Sequence, residues 1–405
     1  MNWIPVVVGG AVVAAAITTS ASARADINLS AFANGALVES STSDYDQSWE
    51  ARWITDENPK KGWCTKKGAK GPFVIVISLP ERSEIHSLEF DTASTDAVKR
   101  AAKDVDVAVS DVSAIAGFAP LTSVSLKSGT DKQSFVVTTP AAGRWIKLTI
   151  TTNHGDPDYS QLMEFRAIGK ALTQTPMPTN LSGTYHSNSY GNFHLQQTGA
   201  SLSGCYEHNQ GVFQGGAESN LMRLTWREGA RTGPAIMVLK RDGGSFEGWW
   251  TDQNSQSWQA NWDLKKVSAV VGSCPNWNPK AASGNVVASE LASGGRVRLY
   301  GINFDVDSDR LRADAKPAVD QLIEALKANP TWNVSIEGHT DSTGDAAHNL
   351  TLSQLRANAV KAALVTGGIT ADRLTTSGLG QTKPLAPNDT EVGRAQNRRV
   401  EVVRK

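Results

Sequence analysis

The sequence predicts a multidomain chain: two all-β units, then one α+β unit built as β-α-β-α-β. Three observations carry this reading. Short β runs separated by Gly, Pro, Asp and Ser fill residues 27 to 267. From Arg296 the hydrophobic spacing changes to strands alternating with helices. Two stretches without hydrophobic period, one around Pro176 and Pro178 and one from Gly272 to Gly295, separate the parts. At 405 residues the chain is also too long for one typical core.

Residues 1–25 read as a secretory signal. Ile4 to Ile17 are almost wholly apolar, and Ala23-Arg24-Ala25 gives a small-x-small cleavage pattern before Asp26. Only the α-amino group is positive ahead of that run, so an uncleaved anchor or a mis-assigned start is the competing reading. No Cys lies near the cleavage point, which argues against a lipoprotein. No later stretch is apolar for long enough to cross a bilayer as a helix. The chain is therefore expected to be exported to the periplasm.

The first unit, 27–170, holds the continuous apolar run Phe73 to Ile77, the alternating run Val105 to Val109 and the run Trp145 to Ile150. Several such strands predict a jelly-roll-like β-sandwich. Trp49, Trp53 and Trp63 invite sugar stacking, although large aromatics between short strands are more often core. His154 and Asp156 are better read as turn residues than as ligands. The second unit, 180–267, alternates at Phe193 and Leu195, at Met222, Leu224 and Trp226, and at Trp258, Ala260, Trp262 and Leu264. Asp242-Gly-Gly244 is a hairpin signal. A small antiparallel barrel or sandwich follows, its five tryptophans from Trp226 to Trp262 either lining a cup or filling the interior.

After a linker at 268–295 comes the third unit, 296–405. Tyr300, Ile302 and Phe304 fall on one face of a strand. Val319, Leu322, Ile323 and Leu326 mark a helix ended by Asn329-Pro330, and Trp332, Val334 and Ile336 a second strand. A second helix with a stripe of Leu352, Leu355, Ala359, Val360, Ala363 and Leu364 stops at Gly367-Gly368, and Val400 and Val402 mark the last strand.

Lys+Arg and Asp+Glu balance at 40 each, which argues against nucleic acid as the main partner. Of the three cysteines, Cys205 and Cys274 bracket one unit and are the preferred disulfide pair, leaving Cys64 over. No CxxC or clustered His accompanies them, so no metal site and no cofactor is expected.

Residues 27–170 resemble the discoidin (F5/8 type C, galactose-binding-like) family. The likeness rests on Trp49-Glu-Ala-Arg-Trp53 leading to Lys61-Gly-Trp63, Phe73 to Leu79, Ile85 to Phe90, Arg144 to Thr149 and Glu164 to Gly169. The cysteine pair with which many such domains join their ends is absent. The resemblance implies binding of a sugar, lipid headgroup or protein through loops at one end of the sandwich; a glycan or an envelope protein is the expected partner of residues 27–267.

A second resemblance is more specific. Ile336-Glu-Gly-His-Thr-Asp341, Asn349 to Ala357, Gly378-Leu-Gly380, Asn388 and Gly393 to Glu401 are similar to the OmpA C-terminal family, which includes peptidoglycan-associated lipoproteins. The likeness implies a non-catalytic grip on the diaminopimelate of the peptidoglycan stem peptide. Such a ligand offers a carboxylate and an ammonium on one short frame, so its site needs one anion and one cation at matching separation. By resemblance Asp341 accepts from the ammonium, and the planar fork of Arg356 takes the carboxylate in two bonds. Thr340, Asn349, Phe304 and Asp305 match neighbouring pocket positions. Read alone, Asp341 is also a good turn residue and Arg356 an ordinary solvated helix arginine. His339 reads as structural; Arg398 and Arg399 either charge the last strand or approach other carboxylates of the peptide.

The expected function is thus a peptidoglycan-binding tether for two β modules, and not an enzyme. Two alternatives compete: a wall-targeted hydrolase, for which no GxSxG, HExxH or Cys/His context is present, and an outer-membrane protein with a periplasmic tail.

Overall fold

The structure is a computed structural model. It describes residues 26–405 apart from 174, 177, 179, 200, 253–254, 256, 278–285, 300–301, 306, 313–314 and 389–390. The expected signal, residues 1–25, and Tyr300 lie outside the described residues.

The first unit contains β1 (Ile27–Asn28), β2 (Leu37–Ser41), β3 (Trp63–Cys64), β4 (Phe73–Asp91), β5 (Asp104–Ser110), β6 (Ala119–Ser125), β7 (Gln133–Ile150), β8 (Gln161–Leu162) and β9 (Glu164–Ala171). Seven of these form one sheet in the order β1-β9-β4-β7-β5-β6, with β2 on β4. β4 and β7 are long, pairing antiparallel from Phe73↔Ile150 to Phe90↔Gln133. Register shifts between Ser78 and Ser83 and between Ile85 and Ser87 bend β4, so that one sheet wraps both faces of the sandwich core. Ile75, Ile77, Leu88, Phe90, Ile146 and Phe165 fill that core.

The second unit is a closed antiparallel barrel of eight strands. They are β10 (Gly183–Ser187), β11 (Gly191–Thr198), β12 (Ser201–Tyr206), β13 (Gly211–Glu218), β14 (Leu221–Glu228), β15 (Arg231–Leu239), β16 (Ser245–Trp250) and β17 (Leu264–Ser268). Asp242 sets the expected hairpin, its Oδ1 accepting from the amides of Gly244 at 2.9 Å and Ser245 at 2.8 Å. Inside, Tyr185, Phe193, Tyr206, Trp226, Phe246 and Trp262 pack into a filled aromatic core. The tryptophans are thus divided: Trp226 and Trp262 fill the interior, whereas Trp249 and Trp258 point outward. Trp258 to Trp262 were expected to continue one strand. They do not: Gln259 bridges to Trp250 and the Trp262 amide donates to the Gly248 carbonyl at 3.0 Å, but the ladder resumes as β17 at Leu264. Cys205, on the outer side of β12, is joined to Cys274 by a disulfide, and Cys64 is buried and free.

The third unit contains α1 (Val286–Gly294), β18 (Arg296–Leu299), α2 (Lys316–Ala328), β19 (Val334–Gly338), α3 (Ala346–Thr366), β20 (Leu374–Gly378), α4 (Glu391–Asn397) and β21 (Val400–Arg404). Its sheet runs β18-β21-β19-β20, with β19 and β20 parallel and the other pairs antiparallel. Four expectations are corrected here. The first strand is Arg296–Leu299, where Val297 and Leu299 alternate inward, rather than the stretch through Ile302 and Phe304. The expected linker ends in a helix, because Val287 and Leu291 of α1 join the core. β20 was not foreseen: in Leu-Thr-Thr-Ser-Gly only Leu374 is apolar and buried, so an edge strand carries no alternation. Finally, α3 buries Asn349, Ser353, Ala357, Val360 and Leu364, leaving Leu355 exposed. Polar residues occupy the inward face because they bond to loops. The Ser353 hydroxyl, for one, donates to the Leu350 carbonyl and accepts from the Gly380 amide.

The two β units meet through an apolar interface. Phe32 stacks on Trp249 with centroids 3.8 Å apart, and Trp53, Leu221, Ile236, Val238 and Trp258 surround them. Arg223 and Asn220 of the barrel donate to the carbonyls of Ala33 and Gly35. The barrel meets the third unit differently, through polar contacts. Arg312 reaches Glu218 at 2.6 Å, Gln321 reaches Gln214 at 3.2 Å, Gln396 reaches the Ser255 carbonyl at 3.0 Å, and Arg227 pairs with Glu290.

Candidate functional site

β19 carries the chain into His339-Thr340-Asp341. The His339 amide donates to the Arg399 carbonyl and the Thr340 amide to the Gly380 carbonyl, both at 3.0 Å, which fixes the strand end. Behind it α3 approaches closely. A Cβ on Gly338 would stand 2.2 Å from the Ser353 carbonyl oxygen, so only glycine fits. The same helix carries Arg356 one turn further on.

Asp341 is buried, at 7% exposure. Its Oδ1 accepts from the Thr343 amide at 2.8 Å, and its Oδ2 from Arg398 Nη1 at 2.7 Å. Burial alone would push this carboxyl up, but the charge and hydrogen bond of Arg398, with Thr343, hold it below its ordinary range. Arg356 is also largely withdrawn from solvent. Burial, and then repulsion from Arg398, lowers its guanidinium to about 10, against attraction from Asp341, Asp307 and Asp309. Its Nε donates to the Ser308 carbonyl at 2.9 Å and Nη2 to that of Asp305 at 3.4 Å, and its plane lies 4.9 Å from the Phe304 ring centroid.

The structure therefore gathers Asp341, Arg356, Phe304 and the Asp305 main chain in one place. The Asp305 side chain turns away to Arg310. Asn349 acts as a brace, its amide donating to the Thr343 carbonyl and to Gln381 Oε1, both at 2.9 Å. The Thr340 hydroxyl is buried without a hydrogen-bond partner among the described residues. Arg398 is the residue that sequence reasoning underweighted: one of two adjacent arginines ahead of a strand carries no mark of which one turns inward. Arg399 instead bonds Glu401 at 2.6 Å.

His339 is structural, as expected. It is 2% exposed with neither ring nitrogen hydrogen-bonded among the described residues, and burial, then the charge of Arg399, lowers its pKa to about 4. Glu337, His339 and Glu401 bring one donor atom each within 4.8 Å of one another. Arg296 already bonds Glu337 at 2.9 Å and Arg399 bonds Glu401, so the cluster is a charge-balanced network. In the first unit, Asp56 and Glu164 form a buried carboxyl pair. Burial pushes Asp56 up to about 7 and Glu164 well above its ordinary value.

The other sequence candidates resolve as packing. Trp63 is wholly buried, its indole N–H donating to the Ser43 carbonyl; Trp53 lies in the interface to the barrel; Trp49 is half-buried. Asp156 Oδ1 accepts from the amides of Asp158 and Tyr159, both at 2.9 Å, and is a turn residue. A hollow of about 320 Å³ at this end of the sandwich is lined by Lys70, Phe73, Asn153, Asp156, Asp158 and Tyr159, among others; of these, sequence reasoning had weighed Asp156 as a ligand.

Comparison with known proteins bears on both ends of the chain. Residues 303–398 match the OmpA family. They form an OmpA family domain. Residues 38–165 match the F5/8 type C domain, so the first unit is discoidin-like. Outer membrane porin F of Pseudomonas fluorescens is 43% identical over 100 residues, which is 25% of this chain and 31% of the porin. The probable lipoprotein YiaD of Escherichia coli K12 is 43% identical over 101 residues, 25% of this chain and 46% of the lipoprotein. The chain thus spans less than half the length of these two relatives. The solved structure of the peptidoglycan-associated lipoprotein from Burkholderia pseudomallei is 35% identical over 26% of this chain and 88% of its own, with a TM-score of 0.25. The OmpA family domain holds Asp341, Arg356 and Arg398 together, within the matched residues.

Proposed function

We propose that the OmpA family domain binds peptidoglycan by the diaminopimelate residue of its stem peptide, and that the protein is a non-catalytic tether for its two β units. The observation that carries this is a buried Asp341 and a half-buried Arg356 in each other's field, with Arg398 as a second cation. A diaminopimelate ammonium takes the place of Arg398 at Asp341. The N–H groups of Arg356 left over from Ser308 and Asp305 take the carboxylate, over the Phe304 ring. Thr340 offers its hydroxyl, and Asn349 with Asp305 hold the pocket wall. The names of the relatives, an outer membrane porin, a probable lipoprotein and an outer-membrane lipoprotein, support an envelope setting. With cleavage after Ala25 the protein is periplasmic and wall-associated, comprising units 27–170, 180–267 and 296–405. The barrel favours this over a lipid-spanning role: Met222, Leu224 and Trp226 of β14 face inward, while Arg223, Thr225 and Arg227 face outward.

Retention on diaminopimelate-type sacculi tests the reading. Asp341→Ala and Arg356→Ala should each cost ~2–5 kcal/mol of binding, roughly thirtyfold to several thousandfold, with the fold intact. Arg356→Lys keeps the charge and loses the planar fork, so its binding should stay clearly impaired. Parent-like retention by both Arg356→Lys and Asp341→Ala would remove the site. N-terminal sequencing of fractionated protein tests export, with Asp26 expected first.

A further inference from the structure

One wall of the Asp341–Arg356 pocket is a short hairpin. Asn303–Asp305 runs antiparallel to Arg310–Arg312 around an isolated bridge from Phe304 to Leu311. The Asp305 amide donates to the Arg310 carbonyl and the Arg312 amide to the Asn303 carbonyl, both at 3.0 Å. This hairpin supplies the Ser308 and Asp305 carbonyls and the Phe304 ring that aim the Arg356 guanidinium. So short a two-stranded piece is marginal by itself and depends on side-chain contacts to hold its place.

One such contact comes from a different unit. Arg312, at the end of the hairpin, donates through Nε to Glu218 Oε2 of the barrel at 2.6 Å and also reaches it through Nη2. The two side chains are 22% and 21% exposed, so the pair is far less screened than an ordinary surface ion pair. Beside it, Gln321 of α2 donates to Gln214 of β13 at 3.2 Å. The barrel therefore holds both the hairpin and the helix that follows it.

Glu218 is itself fixed from the other side. It closes β13 opposite Leu221, across the two-residue turn Ser219-Asn220, in which Ser219 holds φ 53°. The sandwich grips that turn. The Ser219 hydroxyl donates to Glu81 Oε1 at 3.3 Å, and the Asn220 side chain donates to the Gly35 carbonyl at 3.0 Å. Glu81 Oε2 also accepts from the hydroxyls of Thr173 at 2.8 Å and Thr175 at 3.0 Å, in the chain between sandwich and barrel. Residues 218–220 are thus a junction of all three units, with the pocket wall attached to one side of it.

We propose that Glu218 is a positioning residue for the pocket: through Arg312 it holds the hairpin where its carbonyls aim Arg356. The site is then complete only while the third unit is docked on the barrel. This rests on the reading of Asp341 and Arg356 as the diaminopimelate site. A hairpin that swings away leaves Arg356 without the two acceptors and the ring that fix its fork, and the ligand then bears the cost of ordering it. By linkage, stem peptide in the pocket strengthens the docking that favours it.

Calorimetric titration of the chain from Asp26 onward with a soluble diaminopimelate stem peptide tests this. Glu218→Arg sets like charge against Arg312 and should weaken binding roughly five- to hundredfold. Arg312→Ala, which leaves the barrel unaltered, should weaken it as well. Adding Arg312→Glu to Glu218→Arg reverses the pair and should restore most of the binding. In Glu218→Arg the Asp305 and Arg312 amides should exchange faster while those of His339 and Thr340 do not, a pattern that general destabilisation would not give. Parent-like binding by Glu218→Arg or by Arg312→Ala overturns the proposal, and so does a reversed pair that restores nothing. A parent chain that fails to bind the peptide overturns the reading of the pocket, and this inference with it; that failure is seen in the parent, before any variant is made.

Discussion

Burial, and then the charge of Arg399, disfavours a protonated His339 ring, with Arg296 and Lys383 adding to this and Glu401 opposing it. The ring's pKa falls from 6.5 to about 4. Between those values the unfolded chain holds more protons than the folded one, so stability rises with pH across the window and is lost as pH falls toward 4. The effect is up to about 3 kcal/mol. The ring resonances should titrate near the lower value, and β19 amides should be less protected near pH 5 than near pH 7 once intrinsic exchange is corrected. Equal protection would exclude the burial account. Asp341 behaves alike for the opposite reason: its lowered pKa contributes stability above the ordinary carboxylate range, lost as pH falls through the folded value. Asp341 and Arg356 were legible because they sit in a long ordered motif. Arg398 was not, since its importance depends on which way one side chain turns from the approach to β21.

At the scale of the element, the seating of α3 on β19 depends on Gly338. Gly338→Ala would drive a methyl into the Ser353 carbonyl, and overpacking of this kind costs about 1–3 kcal/mol or more. Because α3 carries Arg356, sacculus binding should weaken along with thermal stability. A variant that lost stability but bound normally would show that the helix and its arginine shift together without harm. The helix was legible from its length and its Gly367-Gly368 stop, but its inward face was not. Hydrophobic spacing favours Leu352 and Leu355, while Asn349 and Ser353 are buried by bonds to loop residues, at 343 just ahead of the helix and at 380 and 381, distant in sequence. The same limit hid β20, whose partners lie some forty residues away in β19.

The molecule as a whole is joined by two unlike interfaces. The sandwich and barrel share an aromatic contact edged by hydrogen bonds, so they should unfold together. Trp249→Ala removes the ring stacked on Phe32 and should cost ~3–5 kcal/mol. We expect the common thermal transition to split and proteolysis between residues 171 and 181 to accelerate; an unchanged single transition would mean the two units are not coupled there. The number of units and their β or mixed character were legible from periodicity alone. The pairing of Trp249 and Trp258 with the sandwich was not, because alternation marks two faces of a strand without saying which faces a neighbour.

The disulfide acquires its meaning from where it enters the barrel. Cys274 lies six residues past the end of β17, and Cys205 lies in β12, the third strand of the closed ring. Tension applied to the chain beyond residue 274 is therefore delivered to β12, a strand hydrogen-bonded on both sides. It bypasses β17, whose ladders are shorter, to Thr184–His186 of β10 and to Ser245 and Phe246 of β16. A pull on the C-terminal end loads the barrel across many bonds at once, where the same pull on a reduced chain would peel its last strand one bond at a time.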